Sequence, residues 1–193
     1  MLIVCAEPAV VESELGAGLL SCPSCRGVLA RWGWARERVL RCAAGTRLLR
    51  PRRARCRACA GTHVLLSEQG LLRRRDAVVV IGAAIAANVA GDGYRPIARG
   101  LGVPADTVRG WLRRFAERAG LVRAHFTRCA VALDPELGPL LPAGSGVADA
   151  LEAVAVAARA WVLRFGRAEA WRVASRLSGG LLCNTSSLFP VLW

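Results

Sequence analysis

The chain reads Tyr94-Arg-Pro-Ile-Ala-Arg-Gly-Leu-Gly-Val-Pro-Ala-Asp-Thr-Val-Arg-Gly-Trp-Leu-Arg113 through its middle, and this stretch predicts two helices joined by a tight turn. Ala98 is small where two helices must approach closely. Gly102 follows where the chain must turn, often with a positive φ angle. Val108 returns a branched side chain to the core. Together these features predict a helix-turn-helix with helices over residues 94–100 and 105–119, although a plain helical hairpin shares the pattern.

The second predicted helix carries the side chains that would face the major groove of DNA. Arg109 and Arg113 lie four residues apart on one face, so that both could reach base edges or phosphates. Asp106 suits the positive N-terminus of a helix and could accept a hydrogen bond from a cytosine amino group. Further candidates for contacts with the phosphate backbone are Thr107, Arg95 and Arg99.

Charge and composition favour a polyanionic partner. The net charge is +13 over 193 residues, and all 27 basic residues are arginine. Residues 21–75 hold 14 Arg against two Glu, whereas residues 129–193 hold five basic and five acidic residues. Positive charge of this size favours nucleic acid first and an anionic membrane second. An apolar content of 54% is ample for a folded core and argues against global disorder.

The sequence lacks two features that would direct the protein to a membrane or out of the cell. Residues 1–7 lack the basic region of a secretory signal. The longest apolar run, over residues 77–90, is too short to span a membrane. The protein is therefore expected in the cytoplasm, associated with the nucleoid and without a membrane partner. In that reducing compartment its eight cysteines are not expected to form a disulfide framework.

Two C-x-x-C pairs, Cys22-Pro-Ser-Cys25 and Cys56-Arg-Ala-Cys59, predict a structural Zn²⁺ site. Two intervening residues let a tight turn direct both sulfurs at one ion, and two such turns complete a tetrahedron. The 30 residues between the pairs exceed the usual 15–20 and predict a longer hairpin there. Free or redox thiols are the alternative. His63 could substitute as a ligand, or could be a strand residue that faces a groove or solvent.

The remaining cysteines and the arginines near the second pair have simpler interpretations. Cys5, Cys42, Cys129 and Cys183 have no partner at ligand spacing and are expected to be small buried side chains. A basic strand beside Trp32 and Trp34 could contact phosphates or stack on bases, although the two indoles could equally belong to the core. The arginines on that strand that are candidates for DNA contacts are Arg52, Arg53 and Arg55.

The expected fold is mainly α with a small β zinc ribbon, followed by a helix-turn-helix helical domain and C-terminal helices. Its expected segments are a lead-in over 1–20, a zinc-ribbon-like domain over 21–66, a helix-turn-helix domain over 76–133 and a C-terminal helical segment over 147–193. Asp76 is expected to cap a helix over 77–90. Gly120 is expected to break the chain before helices over 121–133, 147–165 and 168–178.

A stripe of apolar residues at heptad-like spacing runs along the helix predicted over 147–165. Its members are Val147, Leu151, Val154, Ala158, Trp161 and Phe165. Two explanations stay open. The stripe could pack onto the helical domain, or it could form the seam of a homodimer, which would suit a protein that binds paired half-sites.

With both motifs in hand, the chain resembles the uncharacterised actinobacterial zinc-ribbon/helix-turn-helix proteins associated with insertion-sequence transposases. The resemblance is carried by residues 22–25, 53–63, 94–114 and 181–190. The zinc and helix-turn-helix segments are also similar to N-terminal modules of several transposases, which bind element ends. The resemblance implies binding to double-stranded DNA and a transposase as a candidate partner, and it supplies no catalytic residues.

The expected function is therefore sequence-specific DNA binding, by a transcriptional regulator or a transposition accessory factor. The alternative is the N-terminal DNA-binding part of a transposase, either as an enzyme or as a truncated remnant. No enzymatic activity is expected, because a two-metal nuclease needs three carboxylates on a mixed α/β core. The acidic residues after the helix-turn-helix lie on segments predicted as helix or loop: Asp134, Glu136, Asp149, Glu152 and Glu169.

Overall fold

The computed structural model describes residues 1–184 and residue 189. Within these residues, seven helices and six short strands confirm the prediction of a mainly α chain with a small β part. The strands are β1 (Leu2–Val4), β2 (Leu29–Trp34), β3 (Arg38–Cys42), β4 (Gly45–Leu49), β5 (Arg52–Cys56) and β6 (Thr62–Ser67). The helices are α1 (Pro8–Gly16), α2 (Val78–Val89), α3 (Tyr94–Leu101), α4 (Ala105–Glu117), α5 (Ala119–Leu133), α6 (Gly146–Phe165) and α7 (Ala170–Leu177).

The N-terminal third forms a four-stranded mixed sheet in the order β1-β6-β5-β2. Strand β1 runs parallel to β6, and the other neighbours are antiparallel. Residues 1–20, expected as a lead-in, thus add an edge strand to this sheet and a helix, α1, that covers it. Val11 and Leu15 of α1 pack with Leu29, Ala54 and Leu65 into a small core. A core this small suits a segment that needs another source of stability.

Strands β3 and β4 form a separate two-stranded hairpin between the two cysteine pairs. Leu40 of β3 is 4% exposed and belongs to the core of the helical region, not to that of the sheet. The backbone of Arg41 bonds in both directions with the segment before α2: its N–H donates to the carbonyl of Arg75, and its carbonyl accepts from Ala77. The long gap between the pairs therefore holds a hairpin that reaches the helices.

Helix α2 is the centre of the helical core. Val78, Ile81, Ala84 and Ile85 are fully buried, and α3, α4, α6 and α7 all contact this helix. An apolar helix surrounded on most sides explains the absence of a polar face in its sequence. The β-branched start of this segment is helical, as predicted. In the described part of the chain, no helix is both long enough and apolar enough to cross a membrane.

Two predictions about chain breaks are wrong. Asp76 does not cap α2, because the N-cap position belongs to Ala77 and makes no side-chain bond. Both carboxylate oxygens of Asp76 instead lie 2.9 Å from guanidinium nitrogens of Arg41. Gly120 does not break the chain: it lies in the first turn of α5, where a missing Cβ costs little, and the bend between α4 and α5 falls at Arg118, with φ at −112°.

The apolar stripe of α6 packs within the chain. Val154 and Ala158 are buried in the helical core, and Val147, Leu151 and Trp161 pack against that core as half-buried side chains. Small buried residues such as Ala153 and Ala157 let α5 lie close against α6 along most of its length. Phe165, the last member of the stripe, is 59% exposed. Intrachain packing therefore accounts for most of the stripe, and a homodimer stays a prediction.

Gly82 allows α7 to approach α2. The indole of Trp171 occupies the space in which a Cβ on Gly82 would lie. We expect Gly82→Ala to lower the free energy of unfolding by about 1–2 kcal/mol, because overpacking outweighs the helical propensity that alanine adds. Urea unfolding measures the change.

Gly100, in α3, provides a matched control because a Cβ on this residue would meet nothing within 4 Å. Gly100→Ala is expected to stabilise the protein by up to about 1 kcal/mol. Gly82→Ala is expected to become favourable as well once Trp171 is replaced by Ala. A stabilising Gly82→Ala substitution in the presence of Trp171 would contradict the close approach of α7 to α2.

Candidate metal centre and nucleic-acid interface

Four cysteines from two distant parts of the chain form one cluster, here called the four-cysteine cluster: Cys22, Cys25, Cys56 and Cys59. All four sulfurs lie within 4.8 Å of one another. The Sγ atoms of Cys22 and Cys59 are 3.8 Å apart, and those of Cys25 and Cys56 are 3.4 Å apart. A zinc tetrahedron with bonds of about 2.3 Å has sulfur–sulfur edges of about 3.8 Å. The cluster therefore has the dimensions to hold a metal ion such as zinc.

The two C-x-x-C turns share one backbone pattern. In the first, the N–H of Cys22 donates to the carbonyl of Gly27, and Arg26 takes a left-handed φ of 61°. In the second, the N–H of Cys56 donates to the carbonyl of Gly61, and Ala60 takes a left-handed φ of 58°. This repetition explains why both pairs direct their sulfurs to one point, although they lie more than 30 residues apart.

Gly27 lets the two turns meet. A Cβ on this residue would lie 2.8 Å from the Cβ of Ala58 and 3.0 Å from the Sγ of Cys56. Both distances are shorter than van der Waals contact, so that any side chain at position 27 would push the two cysteine pairs apart.

The thiols of the cluster strongly affect one another's protonation. Burial raises the pKa of Cys22, but hydrogen bonds from the backbone N–H groups of Ser24 and Cys25 and from neighbouring thiols lower it to about 6. The Gly27 N–H lowers the pKa of Cys25, but the thiols of Cys56 and Cys59 raise it to about 12. The N–H groups of Cys59 and Ala58 also lower the pKa of Cys56, although burial raises it. Cys22 and Cys56 therefore ionise more easily than a free thiol, and Cys25 resists ionisation. A bound cation would remove the repulsion between thiolates and allow all four to form.

His63 lies beside the cluster, on β6. Its side chain is buried, at 8% exposure, and its Nε2 is 3.3 Å from the Sγ of Cys22. The alternative that it faces a groove or solvent is wrong, because its side chain is buried with Nε2 against the Cys22 sulfur. Its position suits a hydrogen bond from Nε2–H to the Cys22 thiolate, a contact that orients a metal ligand from outside the coordination shell. The spacing alone did not separate this role from that of a ligand.

The other cysteines lie away from the four-cysteine cluster. Cys129 and Cys183 are buried, which confirms the expectation for these two, and burial raises the pKa of each thiol to about 11. Cys5 and Cys42 are only partly buried. Within the described residues, the four-cysteine cluster is the one group of His, Cys, Asp or Glu side chains arranged to hold a metal.

The candidate arginines of β5 already have partners in the sheet and on α1. The Nε atom of Arg52 bonds Glu12, and its guanidinium lies 4.4 Å from the Trp34 ring centre. The guanidinium of Arg55 lies 4.7 Å from the Trp32 ring centre. Arg53 is half-buried and reaches Thr62 Oγ1 at 3.5 Å. Trp32 and Trp34 are 52% and 47% exposed, which rules out the alternative that they belong to the core; their contact with bases stays a prediction.

The α3–α4 unit has one buried and one exposed side. Gly102 ends α3 with a left-handed φ of 63°, as the sequence predicted. Ile97, Ala98, Val108, Trp111 and Phe115 are buried beneath the unit. The residues predicted to contact DNA do not lie on this buried side. Five of them are exposed, namely Arg95, Arg99, Asp106, Arg109 and Arg113, and the side chain of Thr107 is half-buried.

The exposed face of α4 carries two weak ion pairs. An oxygen of Asp106 lies 3.3 Å from a nitrogen of Arg109, and an oxygen of Glu117 lies 3.8 Å from a nitrogen of Arg113. The side chains of both arginines are about two-thirds exposed, at 65% and 67%. Exposed pairs of this kind contribute little, so that a stronger acceptor can displace the carboxylates.

A second basic segment lies beside α4, in a position that the sequence motifs did not predict. Arg73, Arg74 and Arg75 form a turn before α2, and this turn and α4 enclose a groove of about 710 Å³. In the sequence this run of three arginines has the character of a linker. Its position depends on how the chain packs on either side of it.

Three of the five acidic residues considered for nuclease chemistry have structural contacts. Asp149 bonds Arg123 at 2.8 Å, and Glu169 caps α7 by accepting from the N–H groups of Trp171 and Arg172. Asp134 accepts from the N–H of Glu136. Within residues 1–184 these carboxylates form no group of three that could share a metal ion.

Comparison with models of protein families, with curated proteins and with solved structures finds no match for this chain. The resemblance to transposon-associated proteins rests on its motifs alone and stays a prediction, and part of the 181–190 tail lies outside the described residues. A functional assignment therefore depends on the geometry of the four-cysteine cluster and the α3–α4 unit.

Proposed function

We propose that this protein binds double-stranded DNA sequence-specifically, with α4 in the major groove and a structural zinc ion in the four-cysteine cluster. The observation that carries the proposal is the pair Arg109 and Arg113 on the exposed face of α4. These residues lie one turn apart on the second helix of a unit whose opposite face is buried. A guanidinium at such a position can form two hydrogen bonds to the O6 and N7 atoms of guanine.

The turn between α3 and α4 supports this orientation. The left-handed Gly102 and the buried Ala98 bring the two helices together, and Trp111 and Phe115 anchor α4 in the core. The base-facing residues of a helix-turn-helix lie near the start of its second helix. Asp106, Arg109 and Gly110 occupy those positions, and Arg95 and Arg99 on α3 are placed to contact the phosphate backbone.

The proposed role of zinc is structural. Four thiolates fill a tetrahedral coordination shell and leave no open position for a catalytic water. The ion would join β2 to β5 and β6 through the two C-x-x-C turns. Either proposed context, transcriptional regulation or assistance to transposition, requires the same recognition of duplex DNA, and an adjacent transposase gene would favour the second.

The first experiment is selection of bound duplexes from a random pool by the zinc-loaded protein, with metal content measured on the same sample. We expect an enriched motif and about one zinc per chain. Failure to bind any duplex at 20 mM salt, where phosphate contacts are strongest, would overturn the proposed function.

Alanine substitution of the α4 arginines tests which residues read the bases. Arg109→Ala and Arg113→Ala are each expected to weaken binding to the selected site by about 10- to 100-fold and to relax the preference at one base pair. Fluorescence anisotropy with the selected duplex and its single-base variants measures both effects. The control is Arg128→Ala, an exposed arginine on α5. An equal loss for all three variants would show a dependence on net charge alone.

A further inference from the structure

The groove between the Arg73–Arg75 turn and α4 is a strongly basic concave surface. Seven arginines line it against two aspartates. Both aspartates already face an arginine: Asp76 pairs with Arg41, and Asp106 with Arg109. The side chains of Arg73 and Arg75 are exposed, and within residues 1–184 neither forms an ion pair. The groove therefore presents a surplus of uncompensated positive charge.

The turn is held in place by contacts on both sides. Leu71, just before it, is 2% exposed in the helical core. The N–H of Leu72 donates to the carbonyl of Gly180 at 2.9 Å, and the carbonyl of Arg75 accepts from the N–H of Arg41 at 2.7 Å. A guanidinium nitrogen of Arg74 donates to the carbonyl of Cys183 at 2.6 Å. The arginines beside it are thus displayed from a fixed backbone.

Two features raise the free energy of the turn in this conformation. Arg73 adopts a left-handed φ of 60°, which is strained for a residue with a side chain. Arg74 is half-buried, and its Nε has no hydrogen-bond partner among the described residues. Burial lowers the pKa of Arg74, and the nearby Arg114 lowers it further. Strain and an unsatisfied buried donor are typical of functional sites in general. The crowded like charges of the turn and α4 are what favour a ligand of negative charge.

The dimensions of DNA indicate which anion would occupy the groove. An α-helix is about 10–12 Å across, and the major groove is about 12 Å wide, so that a helix inserted there is flanked by phosphates. The groove runs along one side of α4 and shares Arg109 and Arg113 with its exposed face. A sugar-phosphate strand beside an inserted α4 would therefore lie in the groove.

We propose that the groove binds one strand of the DNA backbone, with phosphates held between Arg73 and Arg75 on the turn and the arginines of α4. This inference rests on the proposed function and adds a residue set to it. The turn, and not the arginines of β5, supplies the phosphate contacts nearest to the reading helix. The β5 arginines are instead bound to Glu12, to Thr62 and to the two tryptophans.

The test compares two double variants that remove the same charge. Arg73→Gly/Arg75→Ala removes the two free guanidinium groups of the turn, and glycine suits the left-handed φ of position 73. Arg128→Ala/Arg159→Ala removes two exposed arginines of α5 and α6 that do not line the groove. Binding of a 30-base-pair duplex is measured by anisotropy between 20 and 200 mM salt, and thermal unfolding confirms that each variant is folded.

We expect the turn variant to lose about two phosphate contacts. The slope of log K against log salt should fall by roughly 1.8, and the affinity at 100 mM salt should drop by about 10-fold or more. The control variant should stay within about twofold of the unchanged protein. If the turn variant binds as the control does, the proposal that the groove binds phosphates is wrong, and the proposed function is unaffected. Absence of duplex binding by the unchanged protein would overturn both, and tighter binding of a single strand of equal length would overturn the duplex assignment.

Discussion

The double substitution Cys56→Ser/Cys59→Ser is expected to abolish metal binding and to unfold the N-terminal sheet. The core beneath this sheet is small: its buried members include Val4, Val11, Leu15, Leu29 and Leu65, together with the cluster residues Cys22 and Cys56. A structural zinc site contributes on the order of 10 kcal/mol to folding, whereas a whole domain is stable by only about 5–15 kcal/mol. Loss of the ion is therefore expected to remove more stabilising free energy than the small core of this sheet provides.

Several measurements follow the two parts of the chain separately. Elemental analysis should find about one equivalent of zinc in the unchanged protein and none in the variant. Trp32 and Trp34 lie in the sheet, whereas other tryptophans lie among the helices. A change in tryptophan fluorescence without a matching loss of helical circular dichroism should therefore mark the unfolding of the sheet alone. A strong chelator added to the unchanged protein should reproduce the fluorescence change, and readdition of zinc should reverse it.

The matched control replaces two cysteines outside the cluster. Cys5→Ser/Cys42→Ser removes the same number of thiols from partly buried positions. It should retain the metal and cost no more than about 1–3 kcal/mol, the usual range for one or two modest substitutions. If the Cys56/Cys59 variant keeps its sheet and melts as the control does, the metal has no structural role.

Local patterns in the sequence predicted the elements well, because they depend on neighbours along the chain. The spacing of apolar residues predicted α2 to α7, and the left-handed Gly102 was expected from its place between two helices. The two C-x-x-C pairs also predicted that they would lie together, because each pair supplies two ligands and a tetrahedral metal site needs four.

Contacts between distant residues could not be predicted in this way. Arg52 bonds Glu12, which lies 40 residues away in the sequence, so that its guanidinium is already paired within the protein. Asp76 meets Arg41, 35 residues away, and thereby loses its expected role as a helix cap. The sequence predicted a hairpin between the cysteine pairs but did not indicate that Leu40 would anchor it among the helices. Each error concerns a partner whose position the fold decides.

The Arg73–Arg75 turn was missed for the same reason. A run of three arginines is typical of a solvated linker, and nothing in its own sequence indicates that it lies beside α4. Its position follows from Gly70, Leu72 and Arg75, whose backbone groups bond Ser175, Gly180 and Arg41. The turn is therefore placed jointly by α7, the segment after it and the hairpin, which come from both sides of the sequence.

Gly180 lies against both Leu72 before the turn and Ile3 of β1. Gly180→Ala is expected to lower the free energy of unfolding by about 2–4 kcal/mol. Its φ is +74°, which costs alanine about 1 kcal/mol or more. A Cβ would also lie 2.5 Å from Cδ1 of Leu72 and 2.9 Å from Cδ1 of Ile3. Overpacking of this kind costs about 1–3 kcal/mol. Urea unfolding followed by circular dichroism measures the sum.

Gly102→Ala separates the two causes, since Gly102 has a φ of +63° but nothing within 4 Å of a Cβ. It should cost only the conformational part, about 1 kcal/mol. Shortening Ile3 to Val removes the Cδ1 atom, so that Gly180→Ala should cost less in the Ile3→Val background than in the unchanged chain. Equal costs for Gly180→Ala and Gly102→Ala would show that the contact with Leu72 and Ile3 is looser than described.

Gly180→Ala also links stability to DNA binding. The Leu72 side chain must move to admit the new methyl group, and the backbone of Leu72 is bonded to the carbonyl of Gly180. A strained alanine at position 180 should therefore disturb the turn that begins at Arg73. We therefore expect Gly180→Ala to weaken duplex binding at temperatures well below its melting point, although Gly180 carries no charge and does not line the groove. Gly82→Ala, which loosens the contact between α2 and α7, should lower stability with a smaller effect on affinity. A Gly180→Ala variant that is destabilised yet binds with unchanged affinity would mean that the turn keeps its place by its bonds to Arg41 and Cys183 alone.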